Sequence, residues 1–383
     1  MDHVKVGRLG PFPRVSKPVF LTSAILILAF IIFGALFNEQ AEVVFNQAKA
    51  FVSLRFGWFF IVVVNLTLVM SIYMIFSRYG DIRLGHQNER PEYNMVSWIG
   101  MLFSAGIGIG LLYWGTAEPL YHFMAPPLGE AETVAAAKQA MNISFLHYGL
   151  HVWALYGMVA LSLAYFHYRV GLPLAIRSTL YPILGKKIYG GWGHTVDTLA
   201  VFGTMFGVVT TLGLGVLQIN SGLETLFGIP NNITVQIILI GLITMLAGLS
   251  LFMGLDKGIK RLSDTNILFT VILLSFVIIF GPTQFIFNSF VENIGNYLHQ
   301  IVPLGLWTES YRGEENWQAS WTIFYWAWWI SWSPFVGVFV ARISRGRTIR
   351  EFILGVLLIP ITILFLWFTA FGGSAVNMEL GAA

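Results

Sequence analysis

Long apolar runs alternate with short polar, mostly basic stretches along the whole chain. Cutting wherever charged side chains return leaves nine charge-free segments, at residues 19–38, 57–77, 95–117, 140–168, 198–222, 232–252, 265–288, 318–341 and 352–372. Roughly 20 helical residues cross the hydrocarbon of a bilayer, so each segment predicts one membrane-spanning helix. The first segment is too long for a signal peptide, and no small-residue cleavage site follows it.

The connecting stretches predict the orientation. With the N-terminus in the cytoplasm, 18 of the 22 Lys and Arg residues fall on the inside. Only Lys49, Arg55, Lys138 and Arg312 fall outside. Cytoplasmic loops of membrane proteins carry this basic excess. The inside stretch 169–194 mixes Arg and Lys with apolar residues and reads as an interfacial helix. The outside stretch Val291 to Leu306 reads as a second helix lying on the membrane surface.

Composition agrees with the pattern. Hydrophobic residues make up 56% and charged residues 11%, against roughly 25% charged in a soluble domain. The net charge of +3 sits in short loops between apolar segments, which argues against a nucleic-acid binder. There is no cysteine, so disulfide and thiol chemistry are excluded.

The eighth segment carries the most distinctive chemistry. No charged side chain occurs between Glu315 and Arg342, yet Trp317, Trp321, Trp326, Trp328, Trp329 and Trp332 are there, with Phe324, Tyr325 and Phe335. An interfacial belt explains tryptophans at the ends of a span, not through its middle. Ring faces attract cations by roughly 0.5–2 kcal/mol each. A cluster of them suits a quaternary ammonium, which has no N–H to donate.

Three further segments bear on function. Ser104-Ala105-Gly106-Ile107-Gly108-Ile109-Gly110 places three glycines at alternate positions in the third span. Each weakens a helix by about 1 kcal/mol relative to alanine. The segment predicts a break near the midplane that lines a binding site, the alternative being close helix approach. Glu118-Pro119 closes that span, with Glu118 as an interfacial or gate charge rather than a ligand. In the fourth span His147 and His151 stand four apart on one predicted helix face, with no carboxylate or cysteine near in sequence to complete a metal set. Tyr148, Trp153 and Tyr156 fall in one broad arc of the same predicted helix. The fifth span adds Thr204, Thr210, Thr211, Gln218 and Asn220. No span carries Asp, Glu, Lys or Arg near its centre, so a substrate cation would be held by rings and dipoles. No cofactor and no metal follow from these residues, and no enzyme constellation is present.

The residues FYWAWWISWSPFVGVFVARISRGRTIREF at 324–352, AGIGIGLLYWGTAEPL at 105–120 and FLHYGLHVWALYG at 145–157 resemble the betaine/choline/carnitine transporter family. The segments RSTLYPILGKK and GHTVDTLAVFGTMFGVVTTLGLGVLQIN look most like its BetT-type choline transporters. The resemblance runs from about residue 19 to the end. It implies an all-α integral membrane protein with a leucine-transporter-like fold: two inverted five-helix repeats preceded by two extra helices. The implied division is a cytoplasmic segment 1–18, leading helices in 19–79, a first repeat with its interfacial helix in 95–306, and the opening two helices of a second repeat in 318–383. Three helices of that second repeat are then missing, and the chain reads as truncated.

The resemblance also implies the function. It is import of a quaternary ammonium compound, choline first, by proton symport. Sodium-coupled uptake of glycine betaine or carnitine is the alternative. Trp153, Tyr156 and Trp329 match members of the family's aromatic box. Tyr148 stands where betaine carriers have tryptophan. Trp332 resembles a second cation contact, and Trp328 and Tyr113 resemble positions used by carnitine carriers. Gly106, Gly108 and Gly110 form the unwound segment. Ser104, Ile107 and Thr204 match cation-site positions, but Val208 replaces a second threonine, which favours protons. The candidate proton carriers are then His147, His151 or a group on the missing helices. A homotrimer in the bacterial inner membrane completes what the family implies.

Overall fold

The protein is described from a computed structural model covering residues 7–9, 12–106, 108, 110–253, 260–311 and 317–382. Apart from a short antiparallel hairpin of Gly7–Leu9 and Phe12–Val15, its regular elements are helical among the described residues. In order the long helices are α1 Lys17–Leu36, α2 Asn38–Phe76, α3 Met95–Gly106, α4 Gly115–Met124, α5 Val134–Tyr148, α6 Leu150–Ala164 and α7 Gly191–Phe227. Then come α8 Ile233–Phe252, α9 Lys260–Phe280, α10 Thr283–Gly305, α11 Thr322–Ile343, α12 Ile349–Phe368 and α13 Ser374–Ala382.

Among the described residues, seven helices or near-continuous helical runs are long and apolar enough to cross a membrane, or eight if the bent pair α9 and α10 counts as one span. The nine expected spans are redrawn in three places. Residues 39–56, expected as an outside loop, are helical and continuous with the second span. Its 39 residues at 1.5 Å per residue give a helix of about 58 Å, nearly twice the hydrocarbon thickness. The third expected span is interrupted. α3 ends at Gly106, the chain bends at Gly108, Gly110–Trp114 forms a wide π turn, and α4 resumes at Gly115. The seventh span ends at Phe280, not at residue 288, and α10 leaves it at 111°. Gly281-Pro282 causes that turn. The Gly281 N–H still caps the Val277 carbonyl at 2.9 Å, while Pro282 has no N–H to continue the ladder.

The stretch 169–194 is not one interfacial helix. It is a series of short turns, Ile176–Leu180, Tyr181–Leu184 and Gly185–Tyr189. Asp197 fixes it by accepting from the Arg177 backbone N–H at 3.0 Å and from its Nε at 2.6 Å. The surface helix expected at 291–306 is the second part of α10, which buries Ile286, Asn293 and Tyr297 along one face.

The chain divides into two units. The first comprises Met1–Trp98, Leu150–Gly207 and Gly305–Leu358. Here α2, α6 and α11 pack on one another around Ile61, Val64, Ala160, Leu163, Val340 and Ala341. Glycine makes the approach of α6 and α11 close. A Cβ at Gly337 would stand 2.7 Å from Val159 Cγ1, tighter than any ordinary contact. The second unit comprises Ile99–Gly149, Val208–Leu304 and Ile359–Ala383. In it α4 packs on α5 and on the π turn Thr369–Gly373. Pro119 inside α4 cannot donate to the Gly115 carbonyl, and Gly372 lies against that freed oxygen and the Pro119 ring. Phe145 and Phe365 stack at 3.8 Å between centroids in the same core.

Much of the remaining surface is apolar. Ile25, Leu36, Ile233, Phe252 and Phe280 are all more than 60% exposed. Such faces are unfavourable in water and are the ordinary outer surface of a helix in lipid.

Candidate functional site

In the first unit, α6 and α11 bring together an aromatic cage. Trp153 and Tyr156, three apart on α6, meet edge to face at 5.9 Å. Tyr156 meets Trp329 of α11 edge to face at 6.3 Å. Trp328 and Trp329 stack at 4.9 Å with their planes 8° apart, and Tyr325 stacks on Trp329 at 5.8 Å. Trp153, Tyr156, Trp328 and Tyr325 are buried, and Trp329 is half-buried. α6 has no charged residue, and α11 has only Arg342 in its last turn. Edge-to-face pairs hold rings at fixed angles. Their faces supply an attractive quadrupole for a weakly hydrated cation, with no ionic partner to compete.

Trp332, one turn further along α11, meets the Phe335 ring at 5.8 Å. Gly207 on α7 gives it room, since a Cβ there would stand 3.0 Å from the Trp332 indole. Thr204 and Val208 lie one turn apart on α7, and Val208 is exposed.

The chain breaks its helix at Gly149, which separates α5 from α6. The helical wheel across residues 147–156 therefore does not hold, and the expected shared face of His147 and His151 is corrected. A Cβ at Gly149 would stand 2.8 Å from the Tyr297 hydroxyl and 2.9 Å from Phe365. His151, in the first unit, contacts Asn65 Oδ1 through Nε2 at 3.0 Å. Asn65 Nδ2 already donates to the carbonyls of Gly305 at 2.7 Å and Ile61 at 2.8 Å. Its oxygen is thus the acceptor, and His151 carries its hydrogen on Nε2.

Tyr148, Tyr113 and His147 belong to the second unit. Tyr148 is buried and tilts against Phe368 at 4.7 Å. Tyr113 lies in the π turn before α4 and meets Trp114 at 5.0 Å. Gly106 ends α3 and Gly110 opens the π turn, with Gly108 at the bend between them. Ser104 lies in α3, while Ile107 falls outside the described residues.

His147 has a partner that sequence spacing does not reveal. Glu118 Oε1 lies 2.5 Å from His147 Nδ1 and 3.5 Å from His122 Nε2, with all three side chains fully buried. One ligand atom from each of the three lies within 4.8 Å of the others, the donor set of a two-imidazole, one-carboxylate metal site. One expectation is overturned here: a carboxylate, the buried Glu118, does stand beside His147. The signal in the sequence was the four-residue step from Glu118 to His122, which puts both on one face of α4.

The model of the betaine/carnitine/choline family transporters matches residues 18–383. The osmo-dependent choline transporter BetT2 of Acinetobacter baylyi is 47% identical over 367 residues, covering 96% of this chain and 54% of its own length. The glycine betaine transporter OpuD of Bacillus subtilis is 48% identical over 363 residues, covering 94% of this chain and 71% of its own. The high-affinity choline transport protein of Escherichia coli is 44% identical over 362 residues, covering 94% and 54%. The chain thus spans about half the length of two of these relatives. With the family model matched over nearly all of it, the chain belongs to the betaine/carnitine/choline transporter family.

Proposed function

We propose that this protein imports a quaternary ammonium compound, choline in the first place, by secondary active transport across the bacterial inner membrane. The observation that carries this reading is the cage of Trp153, Tyr156, Trp328 and Trp329, buried between two helices that bring no ionic group to it. A trimethylammonium head is large and weakly hydrated, so rings alone can replace its hydration. A small primary amine loses more on leaving water and needs hydrogen-bond acceptors that these rings do not provide.

In this reading Trp153, Tyr156 and Trp329 hold the cationic head and Trp332 receives it on the way to the cytoplasm. Tyr148, Trp328 and Tyr113 are assigned to substrate on the family resemblance. Gly106, Gly108 and Gly110 supply backbone polar groups where the helix is interrupted. Residues 19–79 are the leading pair of helices, 95–306 the first five-helix repeat and 318–383 the start of its inverted mate. The N-terminus is cytoplasmic, and three copies associate.

The coupling ion is the proton. Val208 gives no oxygen where a sodium-coupled carrier would place a hydroxyl. In this reading the proton is assigned to Glu118 and His147, which are fully buried and in contact. Uptake of radiolabelled choline into cells or proteoliposomes should follow the pH gradient and persist when potassium replaces sodium. Uptake that requires sodium, and ignores a protonophore at fixed membrane potential, would overturn this. The second reading is sodium-coupled uptake of glycine betaine, and its substrate is favoured by the 48% identity to the glycine betaine transporter OpuD. Competition between choline and glycine betaine for uptake separates the two.

A further inference from the structure

We propose that the turns between α6 and α7 dock on anionic phospholipid headgroups. Lys186 and Lys187 make the ionic contacts, and Ile183 and Trp192 enter the boundary between headgroups and acyl chains. The docking surface goes beyond the transport reading. It takes from that reading only the leaflet, which is the inner one when the N-terminus is cytoplasmic.

The turns are held firmly from behind. Ile188 has no exposed surface, and Arg177 is buried beside it. The Arg177 guanidinium donates to Asp197 through Nε at 2.6 Å and to the Ile188 carbonyl through Nη1 at 3.4 Å. A Cβ at Gly193 would overlap that same carbonyl oxygen, so α7 starts pressed against the turn. The Gly185 N–H closes the turn Tyr181–Leu184 on the Tyr181 carbonyl, at φ +53, a backbone that favours glycine. The Gly190 N–H closes the next turn on the Lys187 carbonyl at 3.1 Å.

What this framework turns outward is apolar and basic. Ile183 is 81% exposed and Trp192 65%. Lys186 and Lys187, between them in the chain, are exposed as well, and neither meets a carboxylate among the described residues. Other basic side chains of the first unit are taken up within it. Arg83 donates to the Gly346 carbonyl, and Arg342, Arg345, Arg347 and Arg350 each pair with a carboxylate. No Asp or Glu occurs from Arg169 to Val196, and the next one, Asp197, is held by Arg177.

Depth selects the partner. Trp192 lies six residues before the charge-free segment 198–222. At 1.5 Å per residue that is about 9 Å, the level of the polar headgroups. Indole rings favour that level. At that depth the facing partner is lipid rather than a soluble macromolecule. Two uncompensated ammonium groups there attract anionic headgroups over zwitterionic ones.

The chain has no cysteine, so a nitroxide spin label on Ile183→Cys reports this surface alone. The test measures its collisions with oxygen and with nickel(II) ethylenediaminediacetate, for the full chain in phosphatidylcholine nanodiscs with increasing phosphatidylglycerol. Phosphatidylglycerol should move the label towards oxygen and away from nickel. Lys186→Gln/Lys187→Gln should raise the fraction of phosphatidylglycerol required by about fivefold. Lys186→Arg/Lys187→Arg should leave it unchanged. High salt should weaken the effect in the parent protein and in the arginine variant. Both lysines are exposed, so thermal unfolding should be the same in all three proteins. A label equally open to nickel in every lipid mixture overturns the docking surface. Immersion that ignores both phosphatidylglycerol and the glutamine substitutions overturns the assignment to anionic headgroups. The collision readout involves neither choline nor sidedness, so the docking surface stands or falls apart from the transport reading.

Discussion

Glu118 and His147 share a hydrogen bond of 2.5 Å, between two side chains with no exposed surface. The carboxylate is introduced by α4 and the imidazole by α5, so the contact ties these two helices of the second unit together. Removing one partner of a buried pair typically costs about 3–5 kcal/mol, while removing both can be close to neutral. His147→Leu should therefore lower the thermal unfolding temperature of the detergent-solubilised protein strongly. Glu118→Leu/His147→Leu should recover part of that loss. Simple additivity of the two single effects would show that the contact contributes nothing beyond each side chain's own packing.

Trp329 sits between Tyr156 and Trp328 in the cage, touching one at its edge and stacking on the other. Trp329→Leu keeps an apolar side chain but removes the ring face. Choline binding to the cage should weaken at least tenfold, which is about 1.4 kcal/mol. Trp329→Phe restores a smaller face and should recover part of the affinity. Competition with tetramethylammonium should fall in parallel, because the head group carries the interaction. Unchanged cage affinity in a folded Trp329→Leu protein removes this residue from the site.

The α6–α11 contact depends on Gly337. Its missing side chain leaves only enough room for Val159 and Leu163. Overpacking of this kind costs about 1–3 kcal/mol. Gly337→Val should lower the unfolding temperature and disturb the cage on the same two helices, so choline affinity should fall with it. Val159→Ala should rescue both, because it removes the methyl group that Gly337→Val would meet. A Gly337→Val protein with wild-type stability would mean that the helices are not this close.

The segment joining α2 to α3 has its own pH dependence. The His86 backbone N–H donates to Glu89 at 2.9 Å and holds its carboxyl below the ordinary range, with the Arg345 ion pair at 2.6 Å adding to this. A depressed carboxyl stabilises the fold above its unfolded pKa. That contribution is lost as pH falls through the lower folded value. Protection of amides 84–92 from hydrogen exchange should therefore decrease at acid pH, after correction for intrinsic rates. Glu89→Gln should remove the pH-dependent part. Acid-induced loss that persists in Glu89→Gln would assign it to another group.

The sequence by itself determined the membrane character, most of the helices and the aromatic content of α6 and α11. Those properties are local. A charge-free run of sufficient length must be satisfied by its own backbone in lipid. Trp153 and Tyr156 are one turn apart, so their spacing already implies contact on their own helix. Only the tertiary structure decided which groups meet from distant parts of the chain. Glu118 and His147 are 29 residues apart, and nothing in the intervening pattern pairs them. The pairing follows from how α4 and α5 pack. Gly149 likewise reads as one glycine in an apolar run, but packing against Tyr297 and Phe365 makes it a break. That break assigns His147 and His151 to separate partners, Glu118 and Asn65. Periodicity describes a helix until a neighbour interrupts it, and the neighbour is not in the local sequence.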